Sequence, residues 1–382
     1  MSTTAVFDRS AWSFQGKKRQ ISHQSSPKPR NKNSETYLGQ IWMEYMPGFI
    51  MPLITLGATC AMTGRNTTQS WAIASSILTV VYAFIAIPLL DTILGSDYTN
   101  TKKEDVESAH TYGRYRRLVQ LYVPVTYAML AGVCHLLCTH RDTMSLAAYI
   151  GSIVSLGVAN SMAFTVAHEL LHSADPFERW LSSVLLIPNF YMHWTRSHLQ
   201  HHCWIGTPKD PATARKGETV YHFWCRSIYG NLIGGYGAEM KRKKYAKIAM
   251  WITAPLALLL ATYTFYGSTG VTIHLGQALV AILMLETVNY IEHYGLQRKQ
   301  GPDGRYERTM PKHSWNATTI FTNAVSFKLQ RHSDHHARET VPYFLLQHVQ
   351  DAPQLPHGYP ATMIASLIPP LFFRIMNPRI PS

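Results

Sequence analysis

Four short stretches carry the chemistry available to this chain: His168-Glu-Leu-Leu-His172, His198-Leu-Gln-His201-His202, Asn289-Tyr-Ile-Glu-His293 and His332-Ser-Asp-His335-His336. In a helix, residues at i and i+4, or at i, i+3 and i+4, project from one face, so three of these stretches can each aim two or three imidazoles at one point. His293 supplies a ninth ring. Zinc accepts four ligands and an octahedral ion six, so nine imidazoles imply two metal ions. The candidate ligands are therefore His168, His172, His198, His201, His202, His293, His332, His335 and His336. Glu169, Glu292 and Asp334 stand beside them and could accept the second ring N–H of an imidazole or touch metal themselves. His23, His110, His222 and His274 have no such company and are read as structural.

The first stretch also matches the zinc-peptidase pattern His-Glu-x-x-His. Such a site needs one zinc and three protein ligands, and seven further clustered histidines exceed it. The five cysteines (Cys60, Cys134, Cys138, Cys203 and Cys225) form no Cys-x-x-Cys pair, which argues against a thiolate cage and against a disulfide framework.

The elements that must position these rings are apolar and long. Six stretches contain no Asp, Glu, Lys or Arg: Tyr45 to Gly64, Gln69 to Leu90, Leu118 to Thr139, Thr143 to Ala167, Ile248 to Tyr266 and Gly267 to Leu285. Runs of about 20 apolar residues match a bilayer core, so the chain reads as a membrane protein despite a mean hydropathy of -0.07. The last two runs are continuous, and one straight helix over them would be about 57 Å long, nearly twice a bilayer core. The chain must fold back there, with Gly267-Ser-Thr-Gly270 as the expected turn. Trp180 to His193 and Ala361 to Phe373 are too short to cross and are expected to lie in the interface or re-enter.

Basic residues set the orientation. Lys and Arg number 7 before the first span, 5 between the second and third, 11 between the fourth and fifth and 10 after the sixth, leaving only Arg65 and Arg141 for the other side. Both termini and all four histidine stretches are then cytoplasmic. The formal charge of +13 has the same explanation, which removes nucleic-acid binding as its cause. The expected organisation is all-α: a polar, mobile tail over residues 1–44, a six-helix membrane bundle over 45–295 with a cytoplasmic loop at 168–247, and a cytoplasmic cap over 296–382. The membrane would be a bacterial inner membrane or endoplasmic reticulum. Imidazole ligands without thiolate, gathered at the ends of membrane helices, favour redox iron acting on a substrate dissolved in lipid.

From the Asp91-x5-Asp97 region onward the chain resembles the integral-membrane alkane 1-monooxygenase family. That family is a branch of the histidine-box membrane di-iron proteins, which include fatty-acid desaturases and xylene monooxygenase. The stretches that carry the resemblance are the first and fourth histidine stretches, the latter as Leu329-Gln-Arg-His-Ser-Asp-His-His-Ala337, together with Thr207-Pro-Lys-Asp-Pro-Ala-Thr213, Gly217-Glu218, Asn289-Tyr-Ile-Glu-His-Tyr-Gly295 and His313-Ser-Trp-Asn316. The resemblance implies six membrane helices, two irons on nine histidines, and insertion of one oxygen atom of O2 into a terminal C–H bond. It also implies electrons from NAD(P)H through a reductase and a rubredoxin or ferredoxin. Without a Cys-x-x-Cys pair here, the donor is expected to be separate, and a basic face would attract an acidic one.

Three departures from the family pattern stand out. Ser197 occupies the usual position of the first histidine of the second box and His198 follows it, which makes His198 the expected ligand and His193 the fallback. Ser173 replaces a common Lys, and Arg338-Glu339 follow Ala337 where His-Pro is common. The rival redox readings are a desaturase, or a hydroxylase of a fatty acid, an alkylbenzene or a biosynthetic intermediate. A metal-binding receptor or transporter would need ionisable residues within its spans, which hold only His135 and His274.

Overall fold

A computed structural model describes residues 42–64, 67–101 and 109–381, so the expected N-terminal tail lies almost wholly outside it. Among the described residues the chain is helical, with only isolated bridges and no named strand. A tight turn over Trp42–Phe49 leads into α1 (Ile50–Met62). Next come α2 (Gln69–Ser76) and α3 (Leu78–Leu94), bent by 43° where they meet. The long helices α4 (Ala109–Thr139) and α5 (Leu146–Leu171) follow. Thr68 and Ser145 cap α2 and α5, their hydroxyls accepting from the amides of Trp71 and Ala148. Among the described residues, four helical stretches are long and apolar enough to cross a membrane, Met43–Met62, Tyr112–Thr139, Leu146–Leu171 and Tyr245–His293, and the α2–α3 pair makes up to five if its bent halves are one span.

Shorter helices return the chain to one end of α5: α6 (Pro176–Leu186), α7 (Trp194–Trp204) and α8 (Val220–Lys241). The last apolar stretch forms α9 (Tyr245–His293), which is broken at Gly267 (φ 60°, ψ -155°). There it reverses: Thr262 Oγ1 and His274 Nδ1 lie 3.1 Å apart, whereas 12 residues of straight helix would separate them by about 18 Å. The expected fold-back at Gly267 is thus where the chain turns, in a backbone region that glycine tolerates and a Cβ would strain.

α5 forms the centre. It packs most extensively against α6 and α9, and contact with α9 is close enough that a Cβ on Gly157 would stand 2.5 Å from Val280 Cβ and 2.8 Å from the Gln277 carbonyl. α6 runs antiparallel to α5, with Ser182 Oγ donating to the Ala167 carbonyl at one end and Asn160 Nδ2 donating to Asn189 Oδ1 at the other. Phe190 then takes a left-handed conformation (φ 53°) and α7 leads back. Trp180 to His193, expected to lie in the interface or re-enter, forms the first arm of a hairpin that packs back along α5. Its tip is buried, and its backbone polar groups find partners within the protein. Gln277 Nε2 donates to the Pro188 carbonyl, and His274 Nε2 lies 3.0 Å from the same oxygen. This supplies the structural role expected for His274.

Beyond α9 the chain is mostly irregular and carries α10 (Ile320–Val325), α11 (His332–Ala337), α12 (Tyr359–Ser366) and α13 (Pro369–Met376). Two buried polar ties fix this layer to the end of α3. Asp91 accepts from the Thr322 amide at 2.8 Å and its hydroxyl at 2.5 Å. Arg331, only 1% exposed, reaches Asp97 Oδ2 and the carbonyls of Thr99 and Leu346.

Candidate metal centre

Four elements bring their histidines to one place. The last turn of α5 ends with His168 and His172, α7 carries His198, His201 and His202, α9 ends at His293, and α11 carries His332, His335 and His336. They form two groups within which the ring nitrogens lie no more than 4.8 Å apart. One group is His168, His172, His198, His202 and His335; the other is His201, His293, His332 and His336. All nine candidates fall in one group or the other. On α7 the i and i+4 rings serve the first group and the i+3 ring the second, and on α11 the assignment is reversed, so these two short helices straddle both centres.

The nitrogen spacing fits metal better than hydrogen bonding. The Nε2 atoms of His172, His198, His202 and His335 form a chain with steps of 3.0, 3.0 and 3.2 Å. An imidazole Nε2 offers one proton or one lone pair, so an atom between two such neighbours cannot satisfy both. Lone pairs converging on a cation remove the conflict, since two nitrogens bound at right angles at about 2.1 Å stand about 3.0 Å apart. In the second group, His332 Nε2 lies 3.2 Å from His293 Nε2 and 2.9 Å from His336 Nε2. His168 Nε2 is buried without a partner. For five of the rings burial favours the neutral form, the one that ligates metal: it presses His172 down to about 3 and His198, His202, His335 and His336 well below the usual range, with neighbouring imidazoles adding to the effect.

The acids beside the histidines in sequence are placed differently from one another. Glu292 Oε2 lies 3.3 Å from His332 Nε2, while its Oε1 accepts from the Tyr359 hydroxyl at 2.9 Å. Glu169 and Asp334 do not receive an imidazole N–H. Both are claimed instead by a guanidinium and a backbone amide brought up beside them, Arg116 of α4 and Tyr343 for Glu169 and Arg338 and Gln347 for Asp334.

Among the described residues, the acid that meets a ring nitrogen of the two clusters most closely is one that sequence reasoning missed. Asp210 Oδ2 is 2.8 Å from His201 Nδ1, and Asp210 also accepts from the Thr213 hydroxyl and the Ala212 amide. Its only signal was membership of the Thr207–Thr213 stretch. Glu339 Oε2 stands 3.3 Å from His202 Nδ1. At the displaced second box, His198 is inside the cluster, Ser197 Oγ turns back to the Trp194 carbonyl, and His193 lies outside with its ring against Tyr191 and Tyr236. His313 is occupied by Glu307 and the Met310 amide, and His222 by Glu218.

An apolar cavity runs between α1, α3, α5 and α9 to this cluster. Met51, Phe84, Ile87, Met162, Phe164 and Leu285 line it, and His168, His198, His332 and Glu292 stand at its polar end.

Comparison with known proteins decides the family. The family model "Fatty acid desaturase" matches residues 144–365. "Alkane 1-monooxygenase" of Acinetobacter baylyi is 37% identical over 306 residues, covering 78% of this chain and 74% of that protein. "Alkane 1-monooxygenase 1" of Pseudomonas aeruginosa is 36% identical over 313 residues, 79% of this chain and 82% of that protein. The chain belongs to the alkane 1-monooxygenase family. More distantly, the xylene/toluene monooxygenase hydroxylase component of Pseudomonas putida is 23% identical over 352 residues. The chain is therefore a membrane oxidoreductase of monooxygenase type. The stretches on which the family resemblance rested include six of the nine rings, His168, His172, His293, His332, His335 and His336, together with Asp210, whereas the second box, His198 to His202, departs from the pattern.

Proposed function

We propose that this protein hydroxylates the terminal carbon of alkanes, using two irons held by His168, His172, His198, His202 and His335 on one side and by His201, His293, His332 and His336 on the other. The observation that carries the reading is the meeting of two histidine groups with the polar end of an apolar, membrane-level cavity. Bound iron would supply the activation of O2, with one oxygen atom entering a C–H bond and the other leaving as water at the expense of two electrons and two protons.

The chain's own residues bind, orient and exclude. Met51, Phe84, Ile87, Met162 and Phe164 offer an alkyl chain a mainly apolar wall and keep water from its reacting end. Trp194 lies against His198, ring centroids 4.4 Å apart, and limits its rotation. Asp210 holds the proton of His201 at Nδ1, which leaves Nε2 as the ligating atom. Tyr359 holds Glu292 by a hydrogen bond at the cavity rim.

The same reading extends to topology and partners. Counting both arms of α9 and the bent α2–α3 pair, six spans cross the membrane, with the histidine end, the termini and the layer after α9 cytoplasmic. Electrons from NAD(P)H arrive through a reductase and a separate acidic rubredoxin- or ferredoxin-type donor. Purified protein supplied with such a donor, an alkane and 18O2 should contain close to two irons per chain and yield a labelled primary alcohol. An alkene as the product would favour the desaturase alternative, and activity with zinc alone would defeat the iron assignment.

A further inference from the structure

We propose that the corner joining α8 to α9 binds the headgroup of an anionic phospholipid. Residues 241–247 contain five cations, Lys241, Arg242, Lys243, Lys244 and Lys247, and no acid. Lys243 takes a left-handed backbone (φ 55°), its amide donates to the Met240 carbonyl and that of Lys244 to the Glu239 carbonyl, both at 3.0 Å. The chain therefore reverses within a few residues and crowds the cations onto one corner. At its centre the Glu239 carboxylate, 0% exposed, meets Arg242 at 3.0 Å, Lys247 at 3.4 Å and Arg196 of α7 at 3.8 Å. One carboxylate faces three cations. Among the described residues, Lys241, Lys243 and Lys244 have no carboxylate within 4.0 Å, so the corner carries a surplus that the protein does not neutralise.

Position selects the partner. Lys244 immediately precedes α9, whose length and hydropathy make it membrane-crossing, so the corner stands at headgroup depth. Exposed apolar side chains continue from it in both directions: Tyr245, Met250 and Ile252 along α9, and Met240, Ile233 and Tyr229 along α8. Acyl chains have a surface to lie on directly beside the unpaired cations, which is the arrangement that recognises an anionic lipid. A soluble acidic protein would meet the cations but not this apolar flank. Through Glu239 and Arg196, the corner is also joined to α7, the helix that carries His198, His201 and His202.

The test uses full-length protein equilibrated with equimolar phosphatidylglycerol and phosphatidylcholine, with retained lipid read by native mass spectrometry. The wild type should retain phosphatidylglycerol in preference, and Lys241→Gln/Lys243→Gln/Lys244→Gln should lower that retention by about tenfold or more. The charge-keeping variant Lys241→Arg/Lys243→Arg/Lys244→Arg should retain it, which separates lost charge from a damaged fold. Equal retention of the two lipids by the wild type, or unchanged retention in the Gln variant, would overturn the proposal. So would a Gln variant that keeps its lipid but needs a higher concentration of an acidic electron-donor protein, since the corner would then serve a protein.

Discussion

Asp210 does for His201 what the acids adjacent in sequence do not do for their own neighbours: it accepts a hydrogen bond from Nδ1, which leaves Nε2 to the cluster. Exchanging it for Asn keeps the shape and removes the charge, so Asp210→Asn should weaken iron retention by roughly 10- to 100-fold. Iron remaining after a timed challenge with a chelator measures this, and wild-type retention would show that Asp210 is a packing residue only. A second test concerns the displaced box. His198 stands within 3.0 Å of both His172 and His202, whereas His193 is buried against two tyrosines. His198→Ala should therefore lose metal and turnover, with Ser197→Ala and His193→Ala keeping both. Full iron in the His198→Ala protein would remove His198 from the ligand set. Eight of the nine rings were legible because their i, i+3 and i+4 spacing is local, and His293 because it closes the Asn289-Tyr-Ile-Glu-His293 stretch. Asp210 was not, because its contact depends on how the turn after α7 folds back.

Length reasoning worked for the long apolar elements and left the short ones undecided. A run of 38 residues without a charge, Ile248 to Leu285, had to break, and a glycine at 267 was the place where a backbone turn costs least. The course of the Trp180–His193 stretch was left open; the α6–α7 hairpin packs back along α5, where Asn160, Gln277 and His274, all from other helices, meet its tip. Those partners lie 86 to 89 residues away from Pro188 or 29 from Asn189, beyond any local pattern. Packing at the central helix is tight enough to test. Gly157→Ala places a methyl 2.5 Å from Val280 Cβ, which should force α5 and α9 apart at a cost of about 1–3 kcal/mol. A lowered midpoint of thermal unfolding in detergent is the expected result, and an unchanged midpoint would mean that α9 moves without penalty.

At the scale of the molecule, the proposed orientation rests on 33 of 35 basic residues falling on one side. Tags at Ser382 and at Thr67 should then be accessible from opposite faces of an intact membrane, Ser382 from the cytoplasm, and labelling of both from one face would contradict six spans. What the sequence by itself determined is of this kind: membrane residence, from the length of uncharged runs; eight of the nine clustered imidazoles, from helical spacing, with His293 from its own stretch; and the family, from stretches such as Asn289 to Gly295. These depend on neighbours along the chain, where periodicity and composition act directly. The tertiary structure decided which ring belongs to which centre, five in one group and four in the other, because α7 and α11 each divide their histidines between the two. It also drew Glu169 away to Arg116 and Asp334 to Arg338, and brought Asp210 to His201. A buried carboxylate is paired by whatever cation or donor stands opposite it after packing, and that neighbour is set by the approach of separate helices rather than by the order of residues within one.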